Sequence, residues 1–247
     1  MECYGLTHKG MVRENNEDSF AVFGDGYGAL PNLAIVADGM GGHQAGEVAS
    51  SLAVEFFLEY IDNNTLGADG IMDLLTGAVQ HANGKVYERA QSVHELNGMG
   101  TTLTACVMDK GRLNVVHVGD SRLYVIEEGI ARQITADHTY VYEMVKAGQI
   151  TPGEALVHPR RNAITKAIGI DAKVGADGYI VDCTEETIIL ICSDGLTNMV
   201  MEDEIEAIVK DFTNLEICAG KLVEKANENG GGDNITVILA KAKRWEK

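Results

Sequence analysis

The chain has 247 residues, of which 45% are hydrophobic and 23% charged, as is usual for a globular protein with a substantial core. Its formal net charge of −17 at pH 7 argues against nucleic-acid binding, which requires a basic face to meet phosphates. The sequence has neither a signal-peptide pattern nor an apolar run long enough to span a bilayer. We therefore expect a cytoplasmic protein that contacts no membrane.

Hydrophobic periodicity predicts two helices in the first half of the chain. Apolar residues recur at helical spacing from His43 to Asp62, and again from Ile71 to Ala82. The pattern then changes to that of short strands, which we predict at 101–107, 113–118, 123–126 and 130–134. Gly111 and Gly129 lie in the turns between strands, so this part of the chain is predicted to be one antiparallel meander.

The second half begins with an irregular segment. Residues 139–165 contain Gly148, Pro152 and Pro159 and only weak helical patterning, which indicates a surface flap. Beyond it we predict a buried strand at 187–192, helices at 203–212 and 215–227, and a last strand at 235–240. Paired helices interleaved with antiparallel hairpins favour an α+β layered fold, and no linker divides residues 1–247 into more than one domain.

The five cysteines are odd in number and form no CxxC pair. Three of them lie in apolar, strand-like runs, so we expect buried, reduced thiols.

Four aspartates, each beside a glycine at the end of a predicted strand, are the most informative residues. They are Asp38, Asp120, Asp194 and Asp233. A further acidic pair, Glu17 and Asp18, comes early in the chain. Carboxylates gathered in one cleft repel one another, but hard divalent cations such as Mg²⁺ and Mn²⁺ take oxygen ligands and reverse that cost. The pattern therefore predicts a polynuclear metal site.

Seven motifs extend this pattern in a fixed order along nearly the whole chain. They are Arg13-Glu14-Asn15-Asn16-Glu17-Asp18, Asp38-Gly39-Met40-Gly41-Gly42-His43, Gly100-Thr101-Thr102, Gly119-Asp120-Ser121-Arg122, Asp137-His138-Thr139, Ser193-Asp194-Gly195 and Gly232-Asp233-Asn234. The series resembles the bacterial branch of the type 2C, metal-dependent serine/threonine protein phosphatases. The resemblance implies a four-layer αββα sandwich, in which two stacked antiparallel sheets are flanked by helices.

The resemblance also implies the ligands of two catalytic Mn²⁺ or Mg²⁺ ions. Asp38 would bridge both ions, and the Gly39 carbonyl and Glu17 would bind the first. Asp18 would hold water coordinated to that ion. Asp194 and Asp233 would bind the second ion.

A third, weaker cation would lie between Asp120 and Asp194. The reaction implied is hydrolysis of phosphoserine and phosphothreonine in proteins, by attack on phosphorus of a water shared by the two catalytic ions.

Arg13 matches the family's phosphate-binding position, and its planar guanidinium suits two phosphate oxygens. We interpret Arg122, which follows Asp120, as a structural strand residue. Arg160 and Arg161 in the flap are candidates for substrate docking, with ordinary solvated charges as the alternative.

The proton donor for the leaving group stays open. Met40 stands where animal members of the family carry a histidine, which leaves His43, His138 or metal-bound water as candidates. Asn234 fits either support of the metal ligands or capping of a turn.

The intact arginine loop and long flap favour the branch that opposes Hanks-type serine/threonine kinases. The expected partners are therefore phosphoproteins and a cognate kinase, and the protein is expected to be a monomer. The alternatives are the branch acting on anti-sigma-factor antagonists and a pseudophosphatase that binds phosphoproteins without turnover.

Overall fold

The computed structural model describes residues 1–42, 44–67, 70–211 and 214–242. Eleven strands in these ranges form two antiparallel sheets. The strands are β1 (Glu2–His8), β2 (Asp18–Phe23), β3 (Leu33–Met40), β4 (Gly100–Thr101), β5 (Leu103–Asp109), β6 (Arg112–Val118), β7 (Arg122–Glu127), β8 (Ile130–Gln133), β9 (Asp177–Asp182), β10 (Ile188–Cys192) and β11 (Ile235–Lys241).

Seven α-helices and a 3₁₀ turn (His94–Leu96) are described beside the strands. The helices are α1 (Ala45–Asn63), α2 (Gly70–Ser92), α3 (Tyr140–Lys146), α4 (Pro152–Leu156), α5 (Asp194–Thr197), α6 (Glu202–Asp211) and α7 (Leu215–Glu228). None of the helices in the described ranges is both long enough and apolar enough to cross a membrane.

The first sheet has the strand order β1-β11-β10-β7-β8. The second has the order β2-β3-β5-β6-β9, with the short β4 paired to β3. The central strands β3, β5, β6 and β11 are buried along nearly their whole length, as expected when both faces of a sheet are covered and successive side chains point to opposite faces. On β3, Leu33, Ile35 and Ala37 pack against α1 and α2, whereas Ala34 and Val36 face the other sheet.

The first sheet is covered in the same way. Leu190, Val237 and Leu239 pack against α6 and α7, while Ile191 and Ile238 point to the space between the sheets. The layers are therefore helices, sheet, sheet and helices, and the predicted α+β sandwich is confirmed.

The predicted meander is wrong in one respect. β5 pairs with β6 in one sheet and β7 pairs with β8 in the other, so the chain crosses between the sheets at 119–121. Both hairpins have two-residue turns with positive φ, at Lys110 and Gly111 in the first and at Glu128 and Gly129 in the second. The turn residues identified two hairpins, but local sequence does not reveal whether consecutive hairpins share a sheet.

The flap is present and contains the short helices α3 and α4. Its two ends are joined by the bridge between Thr139 and Ile164. A capping box begins α4, because the Thr151 hydroxyl accepts from the Glu154 N–H while the Glu154 carboxylate accepts from the Thr151 N–H. The flap is thus a folded projection from the edge of the sandwich.

Several further elements differ from the sequence prediction, which also gave no bounds for β1, β2, β3 or α5. β9 was not predicted, because this edge strand alternates exposed and half-buried residues and is interrupted by Gly178. α2 continues ten residues beyond the predicted end at Ala82, to Ser92. In this extension the buried Asn83 donates to the Asp171 carbonyl at 3.0 Å and accepts from the Gly169 N–H at 2.9 Å, so the helix holds the 169–171 loop.

Candidate active site

Asp38 occupies the end of β3, beside β2. In the register of these strands Asp38 is directly opposite Asp18, so two carboxylates meet on neighbouring strands. The peptide groups of Asp38 are fixed from the other side: its N–H donates to the Thr102 hydroxyl at 2.9 Å, and its carbonyl accepts from the Thr101 hydroxyl at 2.8 Å. The motif therefore begins with the strand β4 (Gly100–Thr101), as expected, and its two hydroxyls also fix the backbone of Asp38.

Asp18 links the two sheets. Its Oδ2 accepts from the hydroxyls of Ser193 at 2.8 Å and Thr236 at 2.6 Å, both of which belong to the first sheet's side of the site. Its Oδ1 is buried and has no hydrogen-bond partner. Burial raises the pKa of Asp18 to about 7, although the two hydroxyls oppose this shift.

The carboxylates come close enough to influence one another's protonation. Burial raises the pKa of Asp38 well above its ordinary value, and the negative charges of Asp18 and Asp194 raise it further. Burial, followed by the charge of Asp194, raises the pKa of Asp120 to about 8. The pKa of Asp194 is also raised, by burial and then by Asp233. Without cations, the folded protein therefore favours protons on this cluster.

Glu17 and Gly39 lie side by side at the edge of the cluster. The Gly39 N–H donates to the Glu17 carbonyl at 3.1 Å. A Cβ at Gly39 would collide with the backbone oxygens of Gly46 and Glu17, so only glycine fits here. Burial raises the pKa of Glu17, whereas the charge of Arg13 lowers it.

Arg13 reaches the site from the loop between β1 and β2. Its Nη2 donates to Asp233 Oδ2 at 2.7 Å, and half of its side chain remains exposed to solvent. The guanidinium thus lies beside a predicted metal ligand at the mouth of the site. The ion pair of Arg13 is thus with Asp233 and not with its near neighbours in sequence, Glu14 and Glu17.

Asn234 has a larger role than its sequence context revealed. Its Oδ1 accepts from the Glu17 N–H at 2.8 Å, and its Nδ2 donates to the carbonyls of Lys9 at 2.9 Å and Asn15 at 2.8 Å. One buried side chain therefore fastens the whole arginine loop beside Asp233. The position after Asp233 was the only sequence signal, because all three partners are more than 200 residues away.

Arg122 behaves as the predicted structural residue. Its Nε and Nη2 make a two-pronged contact with Asp137, with Nη2 to Oδ2 at 2.7 Å, and its Nη1 donates to the Tyr124 hydroxyl at 3.2 Å. His43 lies outside the described residues. In the flap, Arg160 stacks on the ring of Tyr140 at 3.9 Å.

Two cavities flank the acidic cluster. The larger, of about 920 Å³, lies between the arginine loop, the start of α1 and the 3₁₀ turn; Arg13, Glu14, Glu17 and Glu95 are in its lining. The other, of about 590 Å³, lies under the flap and is lined in part by Asp120, Asp194 and Arg161. Glu17 and Arg13 therefore face one cavity, whereas Asp120 and Asp194 face the other.

The cluster fits divalent cations by its chemistry. All its donors are oxygens, and the buried Asp18 Oδ1 lacks a hydrogen-bond partner. Among the described residues, no three acidic, histidine or cysteine side chains are already arranged as a finished metal cage.

Comparison with known proteins agrees with this geometry. The family profile of protein phosphatase 2C matches residues 8–221. The chain belongs to the protein phosphatase 2C family. It is a metal-dependent serine/threonine protein phosphatase, as the motif resemblance implied.

Two curated relatives illustrate the similarity. The phosphatase is 41% identical over 243 residues to the serine/threonine phosphatase stp of Listeria monocytogenes, covering 98% of this chain and 96% of the relative. It is 40% identical to the serine/threonine protein phosphatase PstP of Mycobacterium tuberculosis over 94% of this chain and 43% of that longer protein.

Solved structures extend the agreement to the whole fold. Serine/threonine phosphatase Stp1 from Staphylococcus aureus superposes with a TM-score of 0.91 at 36% identity, covering 98% of this phosphatase and 95% of that chain. The catalytic domain of PstP in complex with two manganese ions superposes with a TM-score of 0.84 at 36% identity, covering 97% of both chains.

Proposed function

We propose that Asp38, Gly39, Glu17, Asp194 and Asp233 hold two catalytic Mn²⁺ or Mg²⁺ ions, with Asp38 shared between them and Asp18 supporting coordinated water. The observation that carries this proposal is the convergence of carboxylates from both sheets, where burial and mutual repulsion raise the pKa values of Asp38 and Asp194. Asp120, which also interacts with Asp194, is proposed to hold a third, weaker ion with it.

Arg13 is proposed to bind the substrate phosphate. Its guanidinium lies 2.7 Å from Asp233 Oδ2, within reach of any group held at the cluster. With Asp233 engaged by a cation, the Arg13 guanidinium would be available to donate hydrogen bonds to two phosphate oxygens. When bound, the cations supply Lewis-acid charge for the phosphate oxygens and lower the pKa of the attacking water.

The substrates are proposed to be phosphoserine and phosphothreonine proteins, and residues 1–247 to form one catalytic domain. The names of the relatives and the long flap support a role opposite a Hanks-type serine/threonine kinase. We further propose that the enzyme works as a monomer in the cytoplasm. A cysteine mechanism is disfavoured, because Cys106, Cys192 and Cys218 are buried and burial raises their thiol pKa values.

Asp38→Asn tests the proposal most directly. The substitution removes the shared ligand, so we expect phosphate release from a phosphothreonine peptide in Mn²⁺ to fall to background. It also removes a buried carboxyl whose raised pKa destabilises the metal-free fold at neutral pH, so we expect the metal-free variant to melt at a higher temperature than metal-free wild type. Phosphate release and thermal melting are measured with Mn²⁺ and with excess chelator.

The two measurements separate a damaged fold from a damaged site. A lower melting temperature in chelator would mean that inactivity reflects misfolding. Near-wild-type turnover by Asp38→Asn would refute the assigned site. No turnover by the wild type, despite binding of two metal ions, would instead favour the pseudophosphatase alternative.

A further inference from the structure

His138 lies at the junction of four parts of the fold. It ends the segment after β8, immediately precedes the flap, and packs between the β6–β7 crossing and β9. Only 4% of the residue is exposed. Its own carbonyl accepts from the Thr165 N–H at 2.8 Å, so the start and end of the flap are joined at this residue.

A two-way contact joins His138 to Gly119. The His138 N–H donates to the Gly119 carbonyl at 2.7 Å, and the Gly119 N–H donates to His138 Nδ1 at 3.0 Å. Gly119 has a φ of +111°, which favours glycine, and a Cβ there would collide with Thr102. Because Asp120 follows directly, the orientation of this glycine determines where the Asp120 carboxylate points.

The imidazole is fixed on its other sides as well. Since Nδ1 accepts a hydrogen bond, the ring proton is on Nε2, which lies 3.2 Å from Asp177 Oδ2. Lys166 Nζ contacts Asp177 Oδ1 at 3.3 Å and also lies 3.3 Å from His138 Nε2. The ring stacks on His117, with 4.9 Å between centroids.

Burial lowers the pKa of His117 to about 4, so that neighbour is neutral at pH 7. Its ring is held between the Thr104 hydroxyl at 2.9 Å and the Ala136 carbonyl at 3.2 Å. The stacked rings therefore form a rigid, uncharged support. The His138 Nε2 proton is directed at Asp177 and not at the acidic cluster, which argues against His138 as the proton donor to the leaving group.

We propose that His138 is a positioning residue: its Nδ1 fixes the Gly119 peptide and, through it, holds the Asp120 carboxylate ready for the third cation. This inference rests on the proposed assignment of Asp120 to that cation. Because His138 also joins the two ends of the flap, it connects the base of the flap to the cation site. No other described side chain accepts a hydrogen bond from the Gly119 N–H.

Two substitutions at one position separate the two faces of the ring. In His138→Asn the amide oxygen replaces Nδ1 and keeps an acceptor for the Gly119 N–H. In His138→Gln the amide reaches the place of Nε2 and keeps the Asp177 contact, but the Gly119 N–H loses its partner. When a buried N–H loses its acceptor, a binding constant that depends on that hydrogen bond falls by about 5- to 150-fold.

Calorimetric titration of the metal-free proteins with Mn²⁺ measures each binding step without relying on turnover. We expect the weakest Mn²⁺ step to weaken by about 5- to 150-fold in His138→Gln and by less than about 3-fold in His138→Asn. The two tighter steps should be unchanged in both variants. Asp120→Ala serves as the reference that lacks the weakest step.

Several results would overturn the inference. If His138→Gln keeps the weakest step, or if His138→Asn loses it equally, the Nδ1 contact does not position Asp120. If all three steps weaken together, His138 acts only on stability. If Asp120→Ala retains the weakest step, Asp120 does not hold the third cation and the proposed third site is wrong. This result is distinct from a failure of the His138 inference, because it does not depend on the histidine variants.

Discussion

Arg13 is held in the structure by a residue that we assign to a metal ion. The contact with Asp233 is short, at 2.7 Å, yet half of the arginine side chain is solvent-exposed. An exposed ion pair of this kind contributes little to stability. The ion pair instead orients Arg13, because it keeps the guanidinium at the mouth of the site before a phosphate arrives.

Arg13→Ala should therefore affect catalysis far more than folding. Losing a charge-assisted contact of about 1.5–3 kcal/mol corresponds to about 10- to 150-fold in kcat/KM. Arg13→Lys should recover part of this loss, because one ammonium group cannot make a two-pronged contact. Arg112→Ala, which removes an exposed arginine from a distant hairpin, is the matched control. An unchanged kcat/KM in Arg13→Ala would mean that the phosphate is bound elsewhere.

The sequence predicted some residues of the candidate site but not the contacts that hold them in place. Asp38 and Asp194 were predicted because a carboxylate beside glycine at a strand end is a local pattern. Thr101 was predicted only as a strand residue. For Asn234, the sequence left open whether it supports the metal ligands or caps a turn. The partners of both residues are distant in sequence, so their roles depend on a fold that local patterns do not specify.

The arginine loop between β1 and β2 is held by several contacts, of which Asn234 makes three. The others include the hydrogen bond from the Met11 N–H to the Gly231 carbonyl at 2.8 Å and the ion pair of Arg13 with Asp233. Asn234 makes all its side-chain hydrogen bonds to the backbone of this loop or its edge. The loop contributes few buried apolar groups of its own: Met11 and Val12 are both 67% exposed. Asn234 therefore contributes to the position of Arg13, together with these other contacts.

Asn234→Ala should weaken both stability and substrate binding. Three buried or half-buried backbone groups lose their partner, and each such loss costs about 1–3 kcal/mol unless water replaces it. We expect a lower unfolding midpoint in denaturant and a raised KM for a phosphothreonine peptide. Asn64→Ala, at the exposed end of α1, is the control. A normal KM would show that the loop holds its position without Asn234.

The error in the predicted meander lies in the connection between its two hairpins. The strands and both turns were located correctly from periodicity and glycine position. The crossing at 119–121 was missed because it has the length of an ordinary hairpin connection. That crossing places Asp120 between the sheets, so the mistaken topology concealed why this aspartate is close to Asp194.

For the whole molecule, the acidic cluster makes stability depend on both pH and cations. An unfolded aspartate titrates near 3.9, whereas burial raises the pKa to about 7 for Asp18 and about 8 for Asp120. These carboxyls stabilise the folded protein when they are protonated. That stabilisation is complete below a pH of about 3.9, the pKa of an unfolded aspartate. It is lost as the pH rises through about 7–8.

Cations reverse this trend, because they bind the deprotonated carboxylates. We expect the rise in melting temperature caused by Mn²⁺ to grow between pH 5 and 8. At a concentration of about 100 times Kd it should reach about 5–10 °C, from about 2.7 kcal/mol of binding. Thermal melts with Mn²⁺ and with chelator at each pH measure the difference. A rise that is independent of pH would argue against metal binding by carboxylates with raised pKa values.

The position of β11 has a consequence for synthesis in the cell. This strand lies between β1 and β10, so residues 235–241 pair with residues 2–8 from the opposite end of the chain. At about 5–20 residues per second, a ribosome needs about 12–45 s to reach β11 after β1. Throughout that time β1 has no neighbour in its sheet and Asp233 is not in place. On the proposed assignment of Asp233 to a catalytic ion, a nascent chain is inactive until β11 has been made, and β1 and β10 each keep an unpaired edge until then.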